Sequence, residues 1–428
     1  MKGTPKAGLL GATIGFFIGF AAVALFGPTA ARFKDAMQLT PLMVGFLVAV
    51  PSLSGSLLRI PFSAWVDTTG GRKPFLILLG LSIVGMIGLS LVVLFLYPDR
   101  LSSSHYPLLL LLGALSGCGI ATFSVGISQV SYWFPLEKQG SALGAYAGTG
   151  NLAPGIFSLI LPVALSSLGL AGSYLVWLAF LTGGTILYYF LGRNSPYFQY
   201  RQHGAEPLKA KELARKDGQQ IFPAAGLVQS LLISARVWKT WALLAIYFTT
   251  FGGFIALTAW LPTYWTAFLG VSTVTAGTLT AVYSITASLV RIYGGKIADK
   301  LGGENTAILA LLLTLCGAGI LVFSNSIPLS ITGELLMAVG MGAGNGAVFK
   351  LVPQAVPQAV GGASGWVGGL GAFGGFAIPP ILGAFVRSVG EAGYASGFGV
   401  FILIGLISLG LSFTLKRVRI AKSETRTA

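Results

Sequence analysis

Two arginines stand where arginine is costly to keep. Arg59 in Ser56-Leu-Leu-Arg-Ile60 and Arg291 in Ser288-Leu-Val-Arg-Ile292 both fall inside long apolar runs. A charge at membrane depth costs several kcal/mol and ordinarily faces an aqueous cavity with a partner. The obvious partner would be an intramembrane carboxylate, but nearly all twelve acidic residues lie in loops or at helix ends, and only Glu334 falls within an apolar run. Two cations without anionic partners make a site for an anion. A guanidinium stays charged on burial and offers a planar fork of donors, whereas a lysine ammonium is a point charge that can lose its proton. Arginine used twice therefore favours a small planar oxyanion over a sugar, a peptide or a neutral drug. Chemistry of other kinds lacks its groups. His105 and His203 lie in polar stretches, no His, Asp and Glu cluster falls in an apolar run, and Cys118 and Cys316 lie far apart in apolar segments. An enzyme, a metal site and a disulfide framework are excluded on those grounds, no cofactor is expected, and both cysteines are expected to be buried packing residues.

The elements that must hold the arginines are membrane helices. Of 428 residues 54% are hydrophobic and only 9% charged, where a soluble domain carries roughly 25% charged residues. The mean hydropathy is +0.81. Apolar runs of about 20 residues, enough to cross a bilayer, recur along the chain. The pattern predicts twelve spans at 7–28, 42–66, 74–97, 107–133, 140–168, 170–192, 238–266, 272–297, 306–324, 328–352, 359–386 and 394–415. Continuous runs without alternation indicate helices rather than a barrel. The first run follows Lys2 and Lys6 and ends near Thr29-Ala30-Ala31, like a signal peptide. It is too long for a cleaved segment and should be retained as the first span.

The formal charge of +15 would suggest nucleic acid in a soluble protein. Its distribution says otherwise. With the N-terminus inside, twenty of the 27 Lys and Arg fall in inner segments, while the outer ones hold Arg32, Lys34, Arg100 and Arg387. That bias predicts both termini in the cytoplasm. Arg59, Arg291 and Lys350 remain within spans. The longest polar stretch, 193–237, predicts a basic cytoplasmic linker with some amphipathic helix. It divides a bundle at 1–192 from one at 238–428.

The halves repeat. Arg59, Asp67 and Gly70-Gly71 recur as Arg291, Asp299 and Gly302-Gly303 at a constant offset of 232 (291 − 59), and Gly117, Gly119 and Pro154 recur as Gly342, Gly344 and Pro379 at 225 (342 − 117). The expected fold is therefore all-α and polytopic, twelve transmembrane helices in two six-helix repeats. This arrangement, and the loops at 67–73 and 295–303, resemble the major facilitator superfamily. Eight residues separate Arg59 from Asp67 at the inner end, which places Arg59 about 12 Å up its helix and Arg291 at the matching depth. Glycines crowd the neighbouring spans, among them Gly148, Gly150, Gly371 and Gly374, and small residues at this density allow helices to approach closely and to slide.

Residues 113–154 and 340–380, each a glycine-rich block ending near a proline, resemble the two nitrate signatures of the nitrate/nitrite porters, a family within that superfamily. The resemblance covers all twelve spans. It implies a carrier of nitrate and nitrite working by alternating access, a multi-pass inner-membrane protein of a prokaryote acting as a monomer. It further implies that the anion is held between Arg59 and Arg291, with Asn151, Phe123, Tyr247 and Phe251 around it. Ala147 and Phe376 depart from the glycine and asparagine pattern, which allows a cavity different in detail. Lys350 resembles the branch of importers driven by protons.

Coupling is where two lines of reasoning part. Two like charges in one cavity repel when no anion separates them, which argues for obligatory exchange of nitrate and nitrite. The Lys350 resemblance argues for proton-linked import, with Lys350 and Glu334 as the candidate coupling groups. Another small-anion exchanger, of the oxalate/formate type, is the alternative cargo reading. It would place a cation in the eleventh span, which here is uncharged until Arg387. A passive channel fits a two-fold repeat with glycine-rich gates less well than alternating access does.

Overall fold

The computed structural model describes residues 3–223, 227–356 and 360–427. Lys2 lies outside the described residues, and Lys138, Gly361, Arg419, Lys422 and Arg426 lie outside those whose side chains are described. Among the described residues there are helices and no strands. Eleven helices are long and apolar enough to cross a bilayer: α1 (Pro5–Ala24), α2 (Pro41–Thr69), α3 (Arg72–Leu96), α4 (Ser103–Ser131), the double helix Ala142–Leu191, α7 (Trp238–Ala267), α8 (Thr273–Leu301), α9 (Gly303–Phe323), α10 (Ile327–Val352), α11 (Gly362–Val389) and α12 (Ala392–Val418). The double helix is two spans. Gly169 sits at φ 68°, ψ −176°, which breaks helical geometry, and Phe157 packs against Trp177 with ring centroids 4.6 Å apart and planes tilted by 54°. Twenty residues of straight helix would separate these rings by about 30 Å. The chain therefore doubles back at Gly169, giving α5 before it and α6 after it. Twelve crossings result, and the protein is a multi-pass membrane protein with both ends of the chain on one side. That side is called the terminal end below, and the opposite side the far end.

Local sequence explains where several spans start. Thr4 and Thr40 each cap a helix whose first residue is proline, and Ser272 caps α8 by accepting from the Thr275 N–H at 3.1 Å. These residues satisfy N–H groups that the first helical turn leaves free, and proline at that position gives up a donor that had no partner. The stretch between α6 and α7 carries short helices Pro196–Gln202, Pro207–Lys216 and Leu227–Ala235.

The two sets of six spans meet along two seams, α2 against α11 and α5 against α8. Both are tight toward the far end. A Cβ built on Gly45 would lie 2.5 Å from the Pro379 carbonyl, one on Gly383 2.4 Å from that of Pro41, and one on Gly277 2.3 Å from that of Ser158. Toward the terminal end the α5–α8 seam opens: a Cβ on Gly144 or Gly295 would meet nothing within 4 Å. The halves are thus closed over the site at the far end, while toward the terminal end the α2–α11 seam stays in contact, a Cβ on Gly369 lying 2.8 Å from the Ile60 side chain, and the α5–α8 seam loosens.

At the terminal end each repeat ties its α2–α3 or α8–α9 turn to the neighbouring span. Gly70 (φ 77°) and Gly302 (φ 85°) take backbone angles that a side chain disfavours. Asp67 accepts from the Tyr132 hydroxyl, and the Arg72 N–H donates to Asn194 Oδ1 at 2.9 Å. In the second repeat the Asp67 equivalent, Asp299, pairs instead with Lys350 at 2.6 Å. One expectation fails here. Cys118 is buried, but Cys316 is exposed on the outside of the bundle. In a membrane the outward face is apolar too, so hydropathy cannot tell lipid contact from core.

Candidate anion-binding site

Local breaks in the helices deliver the site residues. Pro61 has no N–H to donate to the Leu57 carbonyl, and its ring crowds that turn. α2 accordingly breaks at Leu58 and restarts at Arg59. Arg59 is 1% exposed. Its Nε donates to the Gly55 carbonyl at 3.0 Å and its Nη1 to the Gly368 carbonyl of α11 at 3.1 Å, across the seam. Nη2 is buried with no partner. On the other side α7 passes through a π-helical turn, Phe248–Gly252, a local widening that is frequent at functional sites. Gly252 allows it, because a Cβ there would lie 2.6 Å from the Gly371 carbonyl and 2.8 Å from the Gly374 Cα. The turn brings Tyr247 and Phe251 onto one face, with rings stacked 4.8 Å apart and 13° from parallel.

Arg291 rises from α8 to meet them. Its Nη2 donates to the Tyr247 hydroxyl at 3.3 Å, and its Nη1 is buried without a partner. Both guanidinium groups lie over the same two rings. The Arg59 carbon is 4.8 Å from the Phe123 centroid and 5.3 Å from that of Phe251, and the Arg291 carbon is 5.6 Å and 5.1 Å from them. Two positive charges that repel are here placed against the negative faces of shared aromatic rings, which offsets part of the repulsion. Neither arginine forms an ion pair among the described residues. Each instead keeps one buried N–H-bearing nitrogen unsatisfied, an arrangement that costs free energy unless an acceptor arrives.

The structure brings Arg59, Arg291, Phe123, Tyr247 and Phe251 together. Asn151 stands at the break between the two helical segments of α5, and its carbonyl accepts from Ser288 of α8 at 2.9 Å, one turn from Arg291. Its Oδ1 is buried and unpartnered. The four singled-out glycines have separate tasks. Gly148 faces Ile292 across the seam, and Gly150 receives the Phe16 ring. Gly371 and Gly374 pack on α7 at Tyr247 and Gly252, holding the π turn in place. Lys350 and Glu334 lie elsewhere. Lys350 donates to Asp299 and to the Ala298 carbonyl at 2.7 Å near the terminal end, and Glu334 accepts from the Trp265 indole at 2.8 Å toward the far end. Sixteen residues of α10 separate them, about 24 Å along the helix.

Three participants carried no signal in the sequence. The Gly368 carbonyl is backbone. Phe349 packs edge-on against Tyr247 at 5.1 Å. Tyr146 donates to the Phe123 carbonyl at 3.0 Å and packs beside its ring. Neither residue stands out from the 28 phenylalanines and 14 tyrosines.

Comparison with known proteins follows the same lines. Residues 12–380 and 269–427 match the Major Facilitator Superfamily. The chain is 30% identical to a protein of Staphylococcus carnosus named "Probable nitrate transporter NarT", over 93% of this chain and 92% of that one. It is 29% identical to the "Nitrite extrusion protein" of Bacillus subtilis, over 86% and 84%. A Thermus thermophilus protein named "Probable nitrate/nitrite antiporter NarK1" is 28% identical over 95% and 90%. Among solved structures, the partially occluded inward-open xylose transporter XylE of E. coli superposes with a TM-score of 0.72, at 15% identity, covering 96% of this chain and 99% of that one. That likeness is one of fold.

Proposed function

This chain belongs to the Major Facilitator Superfamily and, within it, to the nitrate/nitrite porters, and on that premise we propose that it carries nitrate and nitrite across the membrane by alternating access. The observation that carries the reading is the pair of guanidinium groups over one shared aromatic pair, each with a buried nitrogen left without an acceptor. A planar, charge-delocalised anion supplies that acceptor to both halves at once. It fits between donors and ring faces where a bulkier tetrahedral anion would not lie flat. Asn151 and Tyr247 orient it from α5 and α7. The oxalate/formate type of exchanger places a cation in α11, and among the described residues α11 carries only Arg387, at its far end.

We take the terminal end as cytoplasmic, since it holds most of the lysines and arginines. The membrane is the inner membrane of a bacterium, and the single chain is the transport unit. The far-end closure then makes this conformation one that faces the cytoplasm. Nitrate/nitrite exchange fits the geometry best. Lys350 is paired with Asp299 and Glu334 is bonded to Trp265, so neither reaches the arginines to relieve their repulsion in the empty carrier by changing protonation. Labelled nitrate uptake into proteoliposomes tests this. With nitrite inside, uptake should be robust. Without an internal anion, an inside-alkaline gradient should drive none. Gradient-driven uptake into anion-free vesicles would replace exchange with proton symport, and a failure to move nitrate under any loading would remove the cargo assignment.

A further inference from the structure

A separate cavity, of about 200 Å3, lies in the domain seam at the far end. It is walled by the segment after α1 (Gly27 to Asp35), by the start of α2, by one face of α7 from Trp260 to Ala267, and by Tyr394 at the start of α12. Along α7 its floor at Trp260 is nine residues beyond Phe251, about 14 Å along the helix axis from that shared ring. Phe254 and Leu257, both buried, fall between them.

Among the polar groups of its wall are donors left without an acceptor. Trp260 is 1% exposed, yet its indole N–H has no partner, and the Thr263 hydroxyl is likewise buried and unpartnered. The indole can only donate. Stacking on Tyr394, with centroids 6.1 Å apart, holds the Trp260 ring in this position. Lys34, half-buried in the wall, forms no ion pair among the described residues. Its ammonium likewise offers donors and no acceptor. Asp35 also borders the cavity, and being exposed it lies at the rim, where solvent screens it. An orphaned indole N–H, a hydroxyl free to donate and an unpaired cation in one cavity favour an anionic acceptor.

We propose that this cavity is a second anion subsite, which captures a small oxyanion on the far side before the halves open to pass it inward to Arg59 and Arg291. The inference rests on the transport reading above and deepens it. The subsite raises the local anion concentration at the closed seam, as a cleft of one charge does for its ligand. When the seam parts, the anion is already held on α7, the helix that carries Tyr247 and Phe251.

Kinetics from the two faces of the membrane test it. Labelled nitrate uptake by intact cells reads the far face, and uptake by everted vesicles reads the terminal face. Trp260→Phe keeps the ring and its stacking but removes the N–H, and Lys34→Gln removes the cation from a half-buried position. Each should raise the KM for external nitrate about fivefold or more, the loss of one bond to a charged ligand, and leave the KM from the terminal face unchanged. The Lys34→Gln effect should shrink at high ionic strength, and Asp35→Asn should lower the external KM. An unchanged external KM in both Trp260→Phe and Lys34→Gln overturns the subsite. So does an equal rise from both faces, which would mark a general effect on alternation. Normal uptake by the unsubstituted protein with unmoved variants sinks the subsite alone; no nitrate uptake by the unsubstituted protein sinks the transport reading as well.

Discussion

Replacing Arg59 by lysine keeps the charge and removes the fork. In the protein, Nε and Nη1 of Arg59 are committed to the Gly55 and Gly368 carbonyls at 3.0 Å and 3.1 Å, which leaves Nη2 for the anion. One guanidinium thus joins α2, α11 and cargo. A lysine ammonium on its single stem cannot hold both carbonyls and still present a donor between the rings. Losing one charge-assisted bond to the anion costs about 1.5–3 kcal/mol, roughly 10- to 150-fold in affinity. The guanidinium also lies 4.8 Å and 5.3 Å from the Phe123 and Phe251 centroids, a contact worth a further ~0.5–2 kcal/mol. Nitrate counterflow in proteoliposomes should therefore fall close to background for Arg59→Lys, and for Arg291→Lys by the same reasoning, with thermal unfolding in detergent confirming intact protein. A KM within threefold of the unsubstituted protein in both lysine variants would refute the two-arginine site.

Tyr247→Phe removes the hydroxyl that accepts from Arg291 at 3.3 Å but retains the stack on Phe251; a loss of about 1 kcal/mol should raise the counterflow KM roughly fivefold. Gly277→Val would set its Cβ 2.3 Å from the Ser158 carbonyl and 2.4 Å from the Pro162 ring, so it should wedge the far-end seam and cut the transport rate at least about tenfold by disfavouring closure. Gly410→Ala, where a Cβ meets nothing within 4 Å, should leave the rate unchanged in the same assay. Glu334→Gln and Lys350→Met should keep nitrate/nitrite exchange with an unaltered pH profile. The Lys350 pair joins partly exposed groups, so its loss should lower stability by less than about 1 kcal/mol in a melting measurement.

The amino-acid sequence alone determined the class of the protein and the address of its chemistry. Hydropathy marks spans because lipid admits no unsatisfied backbone, and the rule holds helix by helix. Even the α5–α6 boundary, expected between 168 and 170, falls at Gly169, where the chain turns back. Arg59 and Arg291 were legible because an unpaired charge in an apolar run is rare and the repeat sets them at one depth. Phe123, Asn151, Tyr247 and Phe251 were reached through family resemblance, since nothing in composition separates one aromatic in a membrane helix from another.

Tertiary structure decided what hydropathy cannot encode: which way a side chain points and what meets it from a segment hundreds of residues away. Cys316 faces outward, a direction hydropathy cannot show because both faces of a membrane helix are apolar. Lys350 belongs to Asp299, and Glu334 to Trp265, because those partners come from α8 and α7 rather than from their own helix. The glycines proved to be close-contact points with particular neighbours, Gly150 with Phe16 and Gly374 with Gly252. The Gly368 carbonyl that binds Arg59 comes from 309 residues further along the chain. Backbone has no identity in a sequence, and only the packing of α2 on α11 could bring that oxygen to the arginine.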